Sequence, residues 1–177
     1  MSISGIARLS LIASLLTLAA CGFQLRGVAD LSFHNLYIQG PRLSISKDLK
    51  KSLAINGVKI VEDKENADLL LEFMNEGLEK RILSLSGAGR VTEYDLFYRV
   101  RFRLRNPSNP LWGDVQTIEE RRDFSYDDTQ LLAKQGEEDR LNNDMRADAV
   151  REILRRLIVQ KPTKRAVTSE EKPAAAE

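Results

Sequence analysis

The chain has 177 residues, with 27 Lys and Arg against 26 Asp and Glu, for a formal net charge of +1. So small a net charge excludes recognition of a polyanion by overall charge, and any electrostatic function must come from how the charges are distributed. The single cysteine excludes an internal disulfide.

The first twenty residues predict a signal peptide. Met1–Arg8 carries one positive charge, and Leu9–Ala20 is an apolar run too short to span a bilayer, which takes about 20 apolar residues. The run ends in Leu-Ala-Ala-Cys, which looks like a lipobox, the bacterial signal for cleavage before the cysteine and acylation of its thiol. We therefore expect residues 1–20 to be removed and Cys21 to carry the lipid.

Cys21 is expected to anchor the protein to a membrane. The lipid would be a diacylglycerol together with an N-acyl chain, and no other cofactor and no metal is expected. Two or more acyl chains anchor a protein stably, whereas a single chain binds with only about 10⁴ M⁻¹. The next residue, Gly22, is not the Asp that retains lipoproteins in the inner membrane of enteric-type bacteria. This favours the outer membrane of a Gram-negative cell, with the domain in the periplasm. The alternative is an ordinary secreted protein with a stray thiol.

Residues 21–160 are enough for one domain, and residues 161–177 have too few apolar side chains to pack, which predicts a disordered tail. Within the domain, hydrophobic periodicity and turn residues predict two helices, four strands and a short extended piece at Val58–Val61. In chain order, the strands and helices are a strand at His34–Gly40, a helix at Leu43–Asn56, strands at Ala67–Ser86, Thr92–Arg105 and Val115–Tyr126, and a helix at Glu137–Val159.

The third strand has the clearest alternation in the chain. Its predicted core face carries Tyr94, Leu96, Tyr98, Val100, Phe102 and Leu104. A bulge is expected near Asn75–Gly77, where the alternation of the preceding strand is lost. One apolar face on each strand and one apolar stripe on each helix predict an α+β two-layer sandwich. In this fold, two helices pack on one face of a four-stranded, mostly antiparallel sheet in the order β-α-β-β-β-α.

The opposite face of the third strand carries a stripe of arginines. The stripe consists of Arg99, Arg101, Arg103 and Arg105. A guanidinium fork suits phosphate and carboxylate groups, so a phosphorylated ligand is one interpretation. The other is a ladder of cross-strand ion pairs, with Glu119 and Glu120 near Arg99 and Arg101. For Arg90, at a loop tip, ligand binding and simple solvation both remain open.

Motifs for catalysis are not recognisable in this sequence. No serine elbow, phosphate-binding loop, dinucleotide-binding glycines or metal-ligand spacing occurs. Glu93 and Asp95 share a strand face, but two solvated charges are the simpler interpretation. The single histidine, His34, is expected at the surface, and Trp112 is expected to pack in a turn. We therefore predict that the protein is not an enzyme.

Several segments together resemble the LptE family of lipopolysaccharide-assembly lipoproteins. Cys21–Arg26 resembles the family's acylated start, and Leu49–Gly57 resembles its first helix. Thr92-Glu93-Tyr94 resembles its hairpin motif. Leu132-Ala133-Lys134 with Glu137-Glu138 resembles the start of its last helix, which Met145–Leu157 continues. The ordered set is more specific than any one piece.

This resemblance implies a function and two binding residues. Family members plug the lumen of the outer-membrane β-barrel LptD, assist its assembly and bind lipopolysaccharide without catalysing a reaction. Basic residues at the hairpin loop and before the last helix are associated with that binding. By position the second is Lys134, and the base nearest the hairpin tip is Arg90. The alternatives are another outer-membrane assembly or scaffold lipoprotein, or a lipoprotein hydrolase; the absence of helical repeats counts against the commonest assembly lipoproteins.

Overall fold

A computed structural model describes residues 31–159 of the chain. The predicted signal peptide, Cys21 and the tail at 161–177 lie outside these described residues. The helices and strands are β1 (Asn35–Gln39), α1 (Ser46–Ile55), β2 (Lys59–Val61), β3 (Leu69–Leu85), β4 (Val91–Arg105), β5 (Gln116–Ser125) and α2 (Leu131–Val159). Short 3₁₀ turns at Lys64–Asn66 and Asp128–Gln130 precede β3 and α2.

The strands form one mixed sheet in the order β2-β1-β3-β4-β5. β1 is parallel to both of its neighbours, whereas β3, β4 and β5 form an antiparallel meander. The α+β class and the two helices are confirmed, but the predicted count of four strands is wrong. The fifth strand is β2, the extended piece at Val58–Val61, which pairs with β1 because α1 supplies the crossover that parallel neighbours need.

Helix α1 begins at Ser46, three residues later than predicted. Ile45 occupies the N-cap position and makes no capping side-chain bond. The Ser46 hydroxyl instead accepts a hydrogen bond from the backbone N–H of Leu43 at 2.9 Å. Ser44 donates through its backbone N–H and its hydroxyl to the Glu76 carboxylate, at 2.6 and 2.8 Å. The start of α1 is therefore held by β3 rather than by its own cap.

The predicted end of α1 at Asn56–Gly57 is confirmed. Gly57 has φ +76°, a left-handed conformation that glycine adopts without steric penalty. Its N–H donates to the carbonyl of Ala54 at 3.1 Å, and the N–H of Val58 donates to the carbonyl of Leu53 at 3.0 Å. These two bonds are a Schellman motif, which ends the helix and directs the chain into β2.

Helix α2 begins at Leu131, between the two starts that the sequence leaves open, Glu137 and the earlier Asp128 or Thr129. The carboxylate of Asp127 accepts hydrogen bonds from the hydroxyl and backbone N–H of Thr129, which lower the pKa of Asp127. Glu137 and Glu138, which begin the last helix if it starts at Glu137, therefore lie beyond the first turn of α2, and that first turn contains no acid.

The core lies between the two helices and one face of the sheet. The predicted core face of β4 is confirmed: Leu96, Tyr98, Val100, Phe102 and Leu104 are buried, and Tyr94 is partly buried against the same cluster. The predicted stripe of α2 is also confirmed, with Met145, Ala149, Ile153 and Leu157 buried and Leu141 partly so.

The predicted bulge of β3 falls between Phe73 and Asn75, where the register with β4 shifts. Gly40 ends β1 beside this point with φ +103°, and a Cβ atom there would lie 2.1 Å from the carbonyl oxygen of Phe73. Only glycine allows two backbones to approach so closely.

No helix within residues 31–159 combines the length and apolar character that crossing a bilayer requires.

Candidate functional site

Arg90 lies at the tip of a long hairpin formed by β3 and β4. Pairing between β1 and β3 ends at Glu72, so the outer part of β3 pairs with β4 alone. At the tip, the N–H of Gly89 donates to the carbonyl of Ser86 at 2.9 Å, and the N–H of Arg90 donates to the Ser86 hydroxyl at 3.1 Å. The Arg90 side chain is exposed and has no ion-pair partner among residues 31–159. A hydrogen bond holds the Arg90 backbone in place, and the exposed guanidinium is accessible to a ligand.

Lys134 lies in the first turns of α2 and is held more tightly. Its ammonium donates to the Glu137 carboxylate at 2.9 Å and to the Ser125 hydroxyl at 3.0 Å, and its side chain is only 15% exposed. Ser125 pairs across the sheet with Glu93, three residues beyond Arg90. The structure therefore places both predicted bases at the hairpin end of the sheet, one free and one in an ion pair.

A third base, Lys80, lies at this end and was not singled out from the sequence. Its ammonium lies 4.1 Å from the centre of the Tyr94 ring and 2.5 Å from a carboxylate oxygen of Glu138. The Tyr94 ring stacks on Phe124 with centroids 5.9 Å apart, and Tyr126 meets it edge-on at 5.0 Å. Lys80 thus joins the hairpin to α2. In the sequence, the alternation of the two strands could have indicated that Lys80 lies opposite Leu96, on the same face of the sheet.

The outer part of β3 and the start of α2 expose several large apolar side chains. Between 44% and 84% of each residue is exposed for Leu78, Ile82, Leu83 and Leu85 of β3 and Leu131 and Leu132 of α2. We refer to these six residues, with Arg90, Lys80 and Lys134, as the distal surface. Apolar side chains beside cations suit a ligand that carries both acyl chains and anionic groups.

The arginine stripe of β4 faces away from the helices, and two of its four arginines are paired with carboxylates. Arg99 binds Glu119 and also Glu79, the latter at 3.0 Å, and Arg103 binds Glu72. The hydrogen bond from Arg103 lowers the pKa of Glu72. The ladder interpretation is confirmed for Arg99 with Glu119. We call this helix-free side of the sheet the outer face.

The second predicted pair of the ladder, Glu120 with Arg101, is wrong. Glu120 lies opposite Tyr98 and therefore points to the helix side of the sheet, where it is 3.8 Å from Arg122. Thr117 lies opposite Arg101 instead. Arg101 is exposed and has no ion-pair partner in the part of the chain that the structure describes.

Two residues of β4 on the outer face are buried, which the alternation of β4 did not predict. Asp95 is 7% exposed and accepts two hydrogen bonds from the Arg121 guanidinium, at 2.9 and 2.7 Å. The interpretation of Asp95 as a solvated charge is therefore wrong. Phe97 is 9% exposed because the guanidinium groups of Arg81, Arg99 and Arg121 cover its ring at 4.7 to 5.6 Å. Around Phe97 the outer face is thus a layer of charged side chains over one hidden aromatic ring.

A polar junction ties the buried Tyr98 of the sheet to the start of α1. Burial raises the pKa of the Tyr98 hydroxyl well above its ordinary value, so the group stays protonated and donates to Glu76 at 2.7 Å. Glu76 also receives both hydrogen bonds from Ser44. These contacts serve packing of the helix rather than proton transfer.

The remaining sequence candidates lie outside any cluster of reactive groups. His34 is exposed, as predicted, and its backbone N–H donates to Asp68 at 2.9 Å. Trp112 packs in the loop after β4, as predicted, against the guanidinium groups of Arg103 and Arg105 at 4.8 and 5.2 Å. Within residues 31–159, no three His, Cys, Asp or Glu side chains converge as metal ligands.

Comparison with known proteins decides the family. The family model described as "LptE: Lipopolysaccharide-assembly" matches residues 33–157, which include every helix and strand described above except the last residues of α2. The chain belongs to this family. The family resemblance drawn from the sequence is thereby confirmed.

Individual relatives agree with the family. The LPS-assembly lipoprotein LptE of Photorhabdus laumondii is 28% identical over 151 residues, 82% of this chain and 81% of that protein. The protein of the same name from Pectobacterium atrosepticum is 25% identical over 171 residues, 92% of each chain. Among solved structures, lipoprotein B from Nitrosomonas europaea superposes with a TM-score of 0.68 at 40% identity, over 77% of this chain and 90% of its own. Rare lipoprotein B from Shewanella oneidensis gives 0.64 at 30% identity, over 70% and 93%.

Proposed function

We propose that this chain is an outer-membrane lipoprotein that plugs the lumen of the LptD β-barrel, assists assembly of that barrel and binds lipopolysaccharide during delivery to the outer leaflet. The observation that carries the proposal is the family match over residues 33–157, which spans the whole sandwich. The protein acts by binding and positioning, and no catalytic step is assigned to it.

The anchor in this proposal is Cys21, with a diacylglycerol and an N-acyl chain attached after removal of residues 1–20. The lipid holds the chain at the periplasmic side of the outer membrane, and the sandwich domain rises from there into the barrel. The expectation of outer-membrane delivery comes from Gly22 at the position after the cysteine.

The outer face supports placement inside a barrel. Lumens of large outer-membrane barrels are lined with polar residues, so a plug needs a polar surface that loses little on leaving water. On the outer face, Arg99, Arg103 and Arg121 already have carboxylate partners, so their charges are largely neutralised within the protein. Arg101 alone in the β4 stripe offers an exposed guanidinium with no described ion-pair or aromatic partner to a polar wall.

The distal surface supports binding of lipopolysaccharide. We assign Lys134 and Arg90 to its phosphates and the exposed leucines and isoleucine around them to its acyl chains. Lys134 must exchange its Glu137 partner for phosphate. An ion pair three residues apart on a helix contributes only about 0.2–0.5 kcal/mol, whereas a charge-assisted bond to phosphate contributes about 1.5–3 kcal/mol. The exchange is therefore favourable.

Charge reversal at the two bases tests this assignment. Lipopolysaccharide is titrated onto wild-type protein, Lys134→Asp, Lys134→Ala and Arg90→Asp at two salt concentrations. We expect about tenfold weaker binding for each reversal at low salt, a smaller loss for Lys134→Ala and a weaker salt dependence in all three variants. The matched control is Lys51→Asp, an exposed base of α1 remote from the distal surface, which should bind as wild type does. Unchanged affinity and salt dependence in both reversals, with unchanged melting, would remove Lys134 and Arg90 from the site.

A further inference from the structure

A cavity lies on the helix side of the sheet, between α1 and the end of β1. Its volume is about 430 Å³, within the range of roughly 300–1,000 Å³ that small-molecule sites occupy. The floor includes Ile38 of β1, Ile60 of β2 and Phe73 of β3. The rim carries three bases: Arg42 before α1, and Lys47 and Lys50 on its first turns.

The floor is apolar and incompletely covered. Ile38 and Ile60 lie on the helix side of the sheet, in register with the buried Leu71 and Leu36, yet both remain partly exposed. The cause is the shortness of α1, whose ten residues cover only part of β1 and β2. A strip of apolar surface is therefore left open beside the helix.

The positive charges of the rim are not balanced by acidic side chains. None of Arg42, Lys47 and Lys50 has an ion-pair partner among residues 31–159, and the cavity lining contains no Asp or Glu. In the β4 stripe, by contrast, Arg99 and Arg103 are paired with carboxylates and Arg105 packs on the Trp112 ring. Three unpaired cations above an apolar floor are complementary to an anion joined to a hydrocarbon chain.

We propose that this cavity binds a single-chain anionic lipid, with the acyl chain on Ile38, Ile60 and Phe73 and the carboxylate at Arg42, Lys47 and Lys50. The cavity does not include Arg90 or Lys134, so this proposal can be tested independently of the proposed lipopolysaccharide contacts. The protein would then hold a monoacyl lipid in this cavity while the distal surface binds a different ligand.

The probe is tetradecanoate, titrated below its micelle concentration onto the full chain carrying Cys21→Ser, so that no attached lipid competes. Isoleucine methyl NMR reports the location. We expect saturable shifts at Ile38 and Ile60 and none at Ile158, near the far end of α2. Lys47→Glu should raise the Kd by about tenfold, whereas Lys51→Glu, the same change on the same helix outside the cavity, should leave it within about twofold. Both variants should melt at the wild-type temperature.

Two further ligands test the two halves of the cavity. Tetradecanol has the same chain without a charge and should bind at least about tenfold more weakly. Acetate has the charge without the chain and should not displace tetradecanoate. The proposal is overturned if the Ile38 and Ile60 methyls do not shift, if Lys47→Glu and Lys51→Glu bind equally, if tetradecanol matches tetradecanoate, or if acetate competes.

Discussion

Phe102→Ala is expected to lower the free energy of unfolding by about 3–5 kcal/mol, as truncation of a fully buried phenylalanine does. Phe102 is 0% exposed, at the centre of β4's helix-facing side, and meets Phe73 edge-on with ring centroids 6.5 Å apart. The variant loses both the apolar burial and this aromatic contact, and the rigid sheet cannot collapse into the space. Urea denaturation measures the change as a lower midpoint at an unchanged slope.

The neighbouring Arg101→Ala is the matched control. Arg101 is one position away on the same strand but points to the outer face, where it is exposed. Its truncation should change stability by no more than about 0.5 kcal/mol. Similar losses in both variants, or a near-neutral Phe102→Ala, would show that the faces of β4 are reversed.

Gly40→Ala is expected to destabilise the fold by about 2–6 kcal/mol. A positive φ in a residue other than glycine costs roughly 1–3 kcal/mol, and overpacking a close contact adds about 1–3 kcal/mol. Both apply here, since Gly40 has φ +103° and its new Cβ would lie 2.1 Å from the Phe73 carbonyl oxygen. That oxygen belongs to the backbone at the β3 bulge, so it cannot move without disturbing the pairing of β3.

Two other glycines separate the contributions. Gly57 has φ +76° but nothing within 4 Å of a Cβ, so Gly57→Ala should lose only about 1–2 kcal/mol. Gly136 lies inside α2 with open space around it, and Gly136→Ala should stabilise the protein by up to about 1 kcal/mol. If Gly40→Ala unfolds at the same urea concentration as Gly57→Ala, the close approach of Gly40 to Phe73 is not present in solution.

The faces of the long strands could be predicted from the sequence. An alternation of apolar and polar residues over many positions is consistent with only one assignment of the core face. In β4, every residue assigned to the core face is buried or packed against the core. The burial of Phe97 and Asp95 could not be predicted in the same way. It depends on Arg81 from β3 and Arg121 from β5, and a pattern within one strand carries no information on its neighbours.

The order of the strands in the sheet could not be predicted from the sequence for a different reason. β2 has three residues, Lys59–Val61, too few for a periodic pattern to separate a strand from a loop. Its parallel pairing with β1 depends on where the Schellman turn after α1 directs the chain. The start of α2 stayed open between Asp128 and Glu137 because Leu131 and Leu132 are exposed, and an apolar stripe is visible only where a helix is packed.

The candidate site was predicted in part. The family resemblance pointed to Lys134 and Arg90, and the structure brings them to one end of the sheet. The ion pair between Lys134 and Glu137 follows from their spacing on a helix, but the contact with Ser125 depends on the packing of α2 against β5. Lys80 was missed because its partners, Tyr94 and Glu138, come from two different elements.

The central claim is that this chain acts as the plug of a single outer-membrane β-barrel. Its most direct measurement is affinity purification of the tagged full chain from detergent-extracted outer membranes, with the stoichiometry of bound proteins determined by native mass spectrometry. The proposed function predicts one LptD barrel for each copy of this chain, stable to washing in salt because the fold is enclosed by the barrel. Recovery of the chain as a free monomer, or with several unrelated proteins and no stoichiometric barrel, would contradict it.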